Sequence, residues 1–298
     1  MTSIKRAKLI TGILFMTPSL VIYSLYMIIP VPYALYLSFF RWNGISPKIL
    51  VEISNWGRIL VDSVFRKSLL NSIYIGVACI FLQVPLGLFI ALLLVAKHLK
   101  GKKVFQTVYV IPLLLSAVAV GILWKFYLDP TFGVVNNFLL TVGLPNLRRP
   151  WLGDTSTALF AVIVVEVWQF APLYMLIFGA ALSEVPQHLY EAAVIDGASS
   201  LECFWHITIP LIRGVYITAT TIALVGSIKM FDLVWVMTEG GPSRATELMA
   251  TYMYKQTFHR LEFGYGATIG VALFGIAFGL GILWLRLMKH SVLSGQKV

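Results

Sequence analysis

Charged residues are scarce in this chain, and their scarcity is the first constraint on what it can be. Only 12% of its 298 residues are Asp, Glu, Lys or Arg, whereas 58% are hydrophobic, and its mean hydropathy is +0.84. A soluble domain carries about 25% charged residues. The apolar residues form runs of the ~20 residues that are needed to cross a hydrocarbon core of about 30 Å. The composition therefore excludes a soluble globular protein and predicts an all-α integral membrane protein with about six spanning helices.

Residues for covalent, metal or nucleotide chemistry are also few. The two cysteines, Cys79 and Cys203, are too few for a disulfide framework, and the five histidines form no cluster at metal-ligand spacing. The sequence lacks a G-x-x-x-x-G-K-[ST] phosphate-binding loop, and its apolar runs hold no paired carboxylates or nucleophile–base set. We therefore expect no catalytic residue, no metal site and no cofactor bound by this chain, and we disfavour a membrane enzyme.

The basic residues give the chain a net charge of +10, for which two kinds of partner can be considered. A stripe of arginines and aromatic residues would indicate nucleic acid, and the sequence has none. Lysines and arginines near span ends are the ordinary result of membrane topology and of contact with anionic lipids. The expected partner of these charges is therefore the lipid bilayer and not nucleic acid.

The apolar runs predict where the spans lie. The first run follows Lys8 and continues past Pro18, which makes it too long for a signal peptide, and no small-residue cleavage site follows it. We expect an N-terminal segment at 1–67 that contains this uncleaved span and a loop, a core of five spans at 68–290, and a tail at 291–298. The predicted spans are 9–30, 69–96, 104–127, 157–182, 210–236 and 264–287.

The segment 97–103 predicts the orientation of the chain in the membrane. It contains four lysines and no acidic residue, and short basic loops stay in the cytoplasm. Alternation of the spans then places the N-terminus, the 183–210 loop and the C-terminus inside. The 41–67 loop disagrees with this assignment, since it would carry several basic residues on the outer side: Arg41, Lys48, Arg58, Arg66 and Lys67.

The two halves of the sequence share no motif. Secondary transporters are commonly built from repeats that together enclose a site near the bilayer midplane. Six spans without a repeat therefore predict half of a pathway, which a second permease subunit would complete. A stand-alone channel or secondary transporter is the alternative that this pattern disfavours.

The polar loop at 183–210 reads as a helix, a turn and a second helix. Pro186 suits a first helical turn, and Gly197 suits the left-handed residue that ends a helix. Ser199 and Glu202 have capping-box spacing for the next helix. The residue pattern leaves two interpretations open, namely a surface helix that lies on the membrane and a docking helix whose apolar face enters a groove on a cytoplasmic partner.

The same loop resembles the "EAA" loop of permease subunits from binding-protein-dependent ABC importers. The resemblance rests on Glu191-Ala-Ala, on Gly197 six residues later, and on the spacing of Phe204, Ile207 and Pro210. Leu189-Tyr190 before this motif, Thr238-Glu-Gly-Gly-Pro242, and Phe39-Phe-Arg-Trp-Asn43 are similar to the carbohydrate-uptake branch, in particular to the first permease of maltose- and glycerol-phosphate-type systems.

The resemblance implies a fold, partners and a location. It implies the type I ABC importer (MetI-like) permease fold in a bacterial or archaeal cytoplasmic membrane, with the loop as a coupling helix docked on two cytoplasmic ATPase subunits that bind ATP and Mg²⁺. It also implies that loops 126–156 and 238–262 meet an extracytoplasmic solute-binding protein. The residues that it assigns to coupling are Glu191, Ala192, Ala193, Asp196, Gly197, Phe204, Ile207 and Pro210.

Polar and aromatic residues inside spans four and five are candidates for the solute pathway, because intramembrane polar groups usually face a cavity or a partner. Aromatic faces with hydrogen-bonding side chains suit a sugar, but the group near Trp168 also suits packing against a partner subunit. Lys229 and Asp232 also have the spacing of an intrahelical ion pair. The candidates are Trp168, Gln169, Leu173, Tyr174, Ser227, Lys229, Met230 and Asp232.

The leading hypothesis for function is therefore a permease subunit of an ATP-driven importer for a sugar or oligosaccharide. By resemblance, Leu173 and Met230 stand where maltose permeases have more polar or aromatic side chains, so maltose itself does not follow. The alternative within transport is the same machinery importing glycerol phosphate or a polyol.

Overall fold

The structure is a computed structural model that describes residues 2–95 and 101–295, with side chains described for 11–95 and 101–288. The lysines at 97 and 100, which set the predicted orientation, and residues 296–298 of the predicted tail lie outside the described residues. The described chain groups into two compact units. The first contains residues up to Asp62 and Met253–Phe274, and the second contains Ser63–Tyr252 and the residues from Gly275 onward. The predicted segments at 1–67, 68–290 and 291–298 stay predictions.

The first unit begins with a long helix and continues with a small hairpin. α1 and α2 join through a π-helical turn at Ser24–Ile28, and the short strands β1 and β2 pair antiparallel, Phe40 with Leu50 and Arg41 with Ile49. Asn55 Nδ2 donates to the carbonyl oxygens of Ser38 and Phe40 at 2.8 and 3.0 Å, which fixes α3 against the hairpin. The elements are α1 (Thr2–Tyr23), α2 (Pro30–Leu37), β1 (Phe40–Arg41), β2 (Ile49–Leu50) and α3 (Ser54–Val61), with the π-helical turn Lys255–His259 and the start of α15 (Phe263–Gly295).

The second unit holds most of the helices. Its buried apolar core is formed by side chains of α4, α5, α7, α9, α12 and α13. Gly87 allows α5 to approach α9 closely, because a Cβ at this position would lie 2.8 Å from the backbone nitrogen of Met175. The elements are α4 (Ser63–Ala78), α5 (Val84–Val95), α6 (Lys102–Leu114), α7 (Ala117–Tyr127), α8 (Val134–Thr141), α9 (Ala158–Ser183), α10 (Gln187–Ile195), α11 (Ser200–Cys203), α12 (Ile209–Ile228), α13 (Asp232–Thr238) and α14 (Met249–Tyr254).

Long apolar helices confirm the predicted membrane architecture. Among the residues that the structure describes, five helical segments are long and apolar enough to cross a membrane, or six if a bent pair of helices forms one span. The five are Thr11–Leu37, Ser63–Val95, Ala158–Ser183, Ser200–Ile228 and Phe263–Met288. They match the positions of the predicted spans one, two, four, five and six.

The third predicted span is not one continuous helix. α6 and α7 meet at an angle of 99°. Leu115 and Ser116 are extended, and Ser116 Oγ accepts a hydrogen bond from the backbone N–H of Ala119 at 3.2 Å. Ser116 therefore caps the start of α7. Its capping role was not predicted, because this serine lies within an apolar run that indicated one continuous span.

The fifth span also differs from its prediction at both ends. Its helix begins at Ser200 and ends at Ile228, whereas 210–236 was predicted. Pro210 does not open the span, because the helix is already formed ten residues earlier. In a regular α-helix the proline ring would clash with the carbonyl group four positions before it, and the π-helical turn at Phe204–Thr208 lies at this place. The apolar residues after Ile228 belong to the separate helix α13.

Candidate functional site

The loop between α9 and α12 forms a compact unit of local hydrogen bonds. α10 covers Gln187–Ile195 and ends in a Schellman motif, in which Gly197 N–H donates to Val194 O at 3.1 Å and Ala198 N–H donates to Ala193 O at 2.9 Å. Gly197 has φ +86°, a left-handed conformation that glycine adopts without a steric penalty. The turn predicted at Gly197 is therefore present, and Pro186 precedes α10 as its N-cap residue instead of lying in its first turn.

The second arm of the loop starts with the predicted capping box. Ser199 Oγ accepts from Glu202 N–H at 3.3 Å, and Glu202 Oε2 accepts from Ser199 N–H at 2.7 Å. The two arms are joined by a hydrogen bond of 2.9 Å between the hydroxyls of Tyr190 and Thr208. The loop is thus held in one shape by its own side chains and backbone.

The loop leaves apolar side chains uncovered, which is what a docking surface requires. No residue of α10 is buried, and Ile195 is 86% exposed. Leu201 and Trp205 on the second arm are 67% and 58% exposed. A membrane-lying helix would also expose apolar residues, so this exposure agrees with either predicted interpretation of the loop.

The structure places the predicted coupling residues on both arms of the loop. Glu191 lies on α10, where its Oε1 accepts a hydrogen bond of 2.6 Å from Gln187, and it lines a cavity of about 880 Å³ together with Val194. A second cavity of about 370 Å³ is lined by Ala193, Asp196, Gly197 and Ile207. Ala192 is exposed, Phe204 packs against the core, and Pro210 lies at the start of α12.

A cavity of about 290 Å³ in the second unit collects most of the predicted pathway residues. Its wall includes residues of α9, α12, α13 and the π-helical turn at Cys79–Gln83. Lys229 is the C-cap residue that follows α12, Asp232 is the first residue of α13, and these two described residues form no ion pair with each other. The predicted residues that line the cavity are Leu173, Tyr174, Ser227, Lys229, Met230 and Asp232.

Two predicted pathway residues lie elsewhere. Trp168 packs edge-on against Trp124, with ring centroids 5.4 Å apart. Gln169 is buried, and its Nε2 donates to the carbonyl oxygen of Leu115 at 3.3 Å. That carbonyl lies at the bend between α6 and α7, so Gln169 binds a backbone group that the bend leaves without a helical partner.

Glu166 also lines the cavity of about 290 Å³, although it was not among the residues predicted to face the pathway. It is buried, and its backbone oxygen accepts a hydrogen bond of 3.4 Å from Nε2 of Gln83. A carboxyl inside a spanning helix is costly and usually marks a pathway. An inspection of every ionisable residue within the apolar runs would have found it, since it is the acidic residue within Ala158–Ser183.

The connection between α7 and α9 has its own network of side-chain hydrogen bonds. Asn136 Oδ1 accepts from the indole N–H of Trp151 at 2.9 Å, and its Nδ2 donates to Arg149 O at 3.0 Å. Hydrogen bonds from Thr131 hold the pKa of Asp129 below its usual range, and those from Ser156 do the same for Asp154. These carboxylates therefore stay charged at neutral pH and fix the turns that follow them.

The Gly240-Gly241-Pro242 segment forms a turn that is fixed to α4. Asn71 Nδ2 donates to the carbonyl oxygens of Ala245 and Glu247, both at 3.0 Å. Thr246 Oγ1 donates to Gly241 O at 2.7 Å. The described side chains, those of 11–95 and 101–288, include no group of three or more His, Cys, Asp and Glu placed to hold a metal ion.

Comparison with known proteins gives a consistent family. A family model described as "Binding-protein-dependent transport system inner membrane component" matches residues 83–289. The chain is 33% identical to "Probable ABC transporter permease protein YurN" of Bacillus subtilis, over 93% of this chain and 95% of that protein. It is 30% identical to "Trehalose/maltose transport system permease protein MalF" of Thermococcus litoralis, over 95% of this chain and 94% of that protein.

A solved structure shares the fold. It is a bacterial alginate ABC transporter in complex with an alginate pentasaccharide-bound periplasmic protein, and a chain of it aligns with a TM-score of 0.81. The alignment covers 100% of this chain and 98% of that chain at 20% sequence identity, which establishes a similarity of fold.

Proposed function

The chain belongs to the family of binding-protein-dependent transport system inner membrane components, and from this premise we propose that it imports a sugar or oligosaccharide delivered by an extracytoplasmic solute-binding protein. It is a multi-pass permease subunit of an ABC transporter, a transport component and not an enzyme. The observation that carries the carbohydrate proposal is the cavity beside Glu166 and Tyr174, considered with the trehalose/maltose permease among its relatives.

The cavity has the chemistry that a sugar needs. Phe170 and Tyr174 offer aromatic groups to the apolar C–H face of a sugar ring. Glu166, Ser227 and Asp232 offer acceptors and a hydroxyl to the rim of sugar hydroxyls. A carboxylate acceptor forms the stronger class of hydrogen bond, so Asp232 favours a solute that is rich in O–H donors.

The same cavity disfavours the alternative of glycerol phosphate. Lys229 would attract a phosphate, but Glu166 and Asp232 line the cavity as well. The Asp232 carboxylate offsets the charge of that amine, so the lining offers no net positive charge to a dianion. A neutral sugar or polyol therefore fits the lining better than a phosphate ester.

The loop at 183–210 supplies the mechanical link in this proposal. Its apolar residues Ile195 and Leu201 enter a groove on a cytoplasmic ATPase subunit, and the carboxylate of Glu191 pairs with a basic group there. ATP hydrolysis in two separate subunits moves the loop as one body. Because the loop leads directly into the helix Ser200–Ile228, its displacement tilts a wall of the cavity.

A second permease subunit completes the pathway in this proposal. The cavity of about 290 Å³ lies at the lower end of the roughly 300–1,000 Å³ typical of ligand sites, and the absence of a sequence repeat indicates that this chain supplies half of the pathway. Exposed apolar residues on the spanning helices, such as Phe81, Phe89 and Phe160, are available for the bilayer or for this second subunit.

The experiment is uptake by the reconstituted transporter. The chain is purified with the subunits that assemble with it, placed in vesicles, and supplied with ATP, its solute-binding protein and a panel of radiolabelled disaccharides, trehalose, glycerol and glycerol 3-phosphate. We expect binding-protein-dependent accumulation of a disaccharide or longer sugar. Accumulation of glycerol 3-phosphate alone would overturn the carbohydrate proposal, and uptake without any ATPase subunit would overturn the ABC mechanism.

A further inference from the structure

The basic residues in the first outer loop remain unexplained by the transport mechanism. Positive charge is normally retained on the cytoplasmic side, yet this loop lies on the outer side in the predicted orientation. The structure gives individual roles to some of these residues. Lys48 Nζ lies 5.0 to 5.2 Å from the ring centroids of Tyr33, Tyr36 and Trp42, and Lys67 Nζ donates to Ser243 O at 3.4 Å.

Three arginines of the first unit line one cavity. It has a volume of about 390 Å³, and its wall includes Arg41, Arg58 and Arg260. We call it the arginine cavity. Its lining comes from the hairpin, from α3 and from the segment before α15, all within the first unit. In the predicted six-span orientation, these segments lie on the outer side and the 183–210 loop lies on the cytoplasmic side.

The wall of the arginine cavity is held in place by hydrogen bonds. Asn43 Oδ1 accepts from the backbone N–H and the hydroxyl of Ser46, at 2.8 and 2.7 Å. The indole N–H of Trp42 donates to Ser46 O at 2.9 Å, and the backbone oxygen of Trp42 accepts from Phe263 N–H at 2.9 Å. A wall fixed in this way is preorganised, so a ligand would lose little free energy in ordering it.

The charges in the arginine cavity do not cancel. Arg58 forms an ion pair of 2.8 Å with Glu262 and lies 3.8 Å from the centroid of the Tyr265 ring. Glu262 is the single acidic residue in the lining, so Arg41 and Arg260 add two positive charges that it does not balance. Both are exposed at the cavity. Guanidinium groups in pairs favour carboxylates and phosphates, which they bind with parallel hydrogen bonds.

We propose that the arginine cavity is a docking site for an acidic side chain, Asp or Glu, on the surface of the solute-binding protein. This inference rests on the proposed function, because it needs a binding protein that meets the outer face of this subunit. Electrostatic complementarity of this kind sets the rate and the orientation of encounter more than the final affinity. It also gives the 41–67 loop a reason to keep its positive charge on the outer side.

A protein carboxylate fits the arginine cavity better than a lipid phosphate does. Anionic lipids that attract basic segments are concentrated in the cytoplasmic leaflet, whereas this cavity lies on the opposite side in the predicted orientation. Its lining is also rich in polar groups that suit a hydrated protein contact, namely Asn43, Ser46, Ser54 and Asn55. If the cavity binds a carboxylate of the solute-binding protein, a change in the cavity should alter the concentration of binding protein that half-saturates the transporter.

The test compares charge reversals in the complete transporter, reconstituted in phosphatidylcholine vesicles. The double variant Arg41→Glu/Arg260→Glu is compared with Arg66→Glu, which reverses an exposed charge on the same side outside the cavity. Stimulation of ATP hydrolysis is titrated with the purified solute-binding protein. We expect the half-saturating concentration to rise about tenfold for the double variant, with ATP hydrolysis in the absence of binding protein unchanged, and to rise less than about twofold for Arg66→Glu.

Two further variants, a neutral variant of this chain and a charge-reversed binding protein, distinguish a lost contact from a misfolded cavity. Arg41→Gln/Arg260→Gln should weaken docking by a smaller factor and flatten its dependence on salt. A Glu→Lys or Asp→Lys substitution on the binding protein should restore docking to Arg41→Glu/Arg260→Glu, and such rescue requires a folded cavity.

Three results would overturn the inference. The first is an unchanged titration for the double variant in a complex that still imports its sugar, which would leave the proposed function intact. The second is a defect that appears only when the vesicles contain phosphatidylglycerol, which would assign the cavity to a lipid headgroup. The third is a wild-type complex that responds to no binding protein, which would overturn the proposed function as well.

Discussion

The 183–210 loop and the solute cavity differ in how far apart along the chain their parts lie. In the loop, the hydrogen bonds that fix the Gly197 turn and the Ser199 capping box join residues three to five positions apart. The cavity draws its wall from Gln83, from Glu166 and from residues as far along the chain as Leu233. The shape of the loop therefore depends on a few contacts between residues that are close in the sequence. The shape of the cavity depends on every helix that contributes a side chain to its wall.

The largest effect should come from breaking the turn of the loop. Gly197→Leu places a side chain at φ +86°, where a non-glycine residue costs about 1–2 kcal/mol, although no atom obstructs the added Cβ. We expect sugar uptake to fall at least about tenfold while the protein still inserts, because this strain changes the angle between α10 and α11. Uptake and membrane-inserted protein are measured together in vesicles.

Gly101→Leu is the matched control for that change. Gly101 has φ +80° and equally open surroundings, but it lies directly before α6. It should carry the same backbone strain without loss of coupling. Equal loss of uptake in the two variants would mean that general destabilisation, and not the loop, explains the effect.

The next effect concerns charge on the loop. Glu191→Lys reverses an exposed carboxylate that accepts a hydrogen bond from Gln187. We expect the ATPase subunits to bind at least about tenfold more weakly, since a lost charge-assisted contact costs about 1.5–3 kcal/mol. Affinity is measured by titrating detergent-solubilised permease with ATPase subunits. Glu184→Lys, at an exposed residue just before α10, should leave that affinity nearly unchanged, and an equal loss there would refute a specific role for Glu191.

The third prediction concerns a residue in the wall of the solute cavity. Glu166→Gln keeps the size of the side chain and replaces its carboxyl group with an amide. We expect the KM for sugar uptake to rise about fivefold to tenfold, because the amide does not reproduce the hydrogen bonds of the carboxyl group and a lost hydrogen bond costs about 1 kcal/mol. The variant is assayed with two sugars of different size, so that a change in selectivity is visible.

Gln169→Leu provides the contrast within the same helix. Gln169 binds the Leu115 carbonyl at the bend and does not line the cavity. The variant should lower the stability of the protein by about 1 kcal/mol and leave the KM ratio of the two sugars unchanged. A shift in that ratio larger than that of Glu166→Gln would restore Gln169 to the pathway.

The smallest effect should come from the capping box. Ser199→Ala removes the oxygen that accepts the N–H of Glu202. The start of the Ser200–Ile228 helix should lose about 1 kcal/mol, which hydrogen exchange of the 199–203 amides would detect as faster exchange. Uptake should change less than about twofold, and an unchanged exchange rate would show that the cap contributes nothing in the membrane-bound protein.

The sequence predicted local features better than those that depend on packing. The positions of the spans follow from apolar length, and the Gly197 turn and the Ser199 capping box follow from residue types at fixed spacing. The bend at Leu115 was missed, because an apolar run does not reveal which of its backbone groups a distant side chain will bind. Gln169, buried 54 positions away along the chain, supplies that partner.

The lining of the cavity shows the same limit. Leu173, Ser227 and Met230 were predicted to face the pathway and do line the cavity, yet Trp168, in the same helix as Leu173, packs against Trp124. Trp168 lies five positions before Leu173, which places it about 140° away around the helix axis, so the two side chains leave the helix on different faces. Glu166 was missed for a different reason, since an ionisable residue in an otherwise apolar run is diluted in any average of hydropathy.

The central claim is that the 183–210 loop docks on a separate ATPase subunit, and site-specific cross-linking tests it most directly. A single cysteine is placed at Ile195, which is 86% exposed, or at the exposed Arg148 in the α8–α9 connection, after Cys79 and Cys203 are replaced. Each is treated with a short thiol–amine reagent in the assembled transporter. We predict that Ile195→Cys cross-links to the ATPase subunit and that Arg148→Cys does not. A transport-active complex in which Ile195→Cys fails to cross-link, or in which both positions cross-link equally, would contradict the claim.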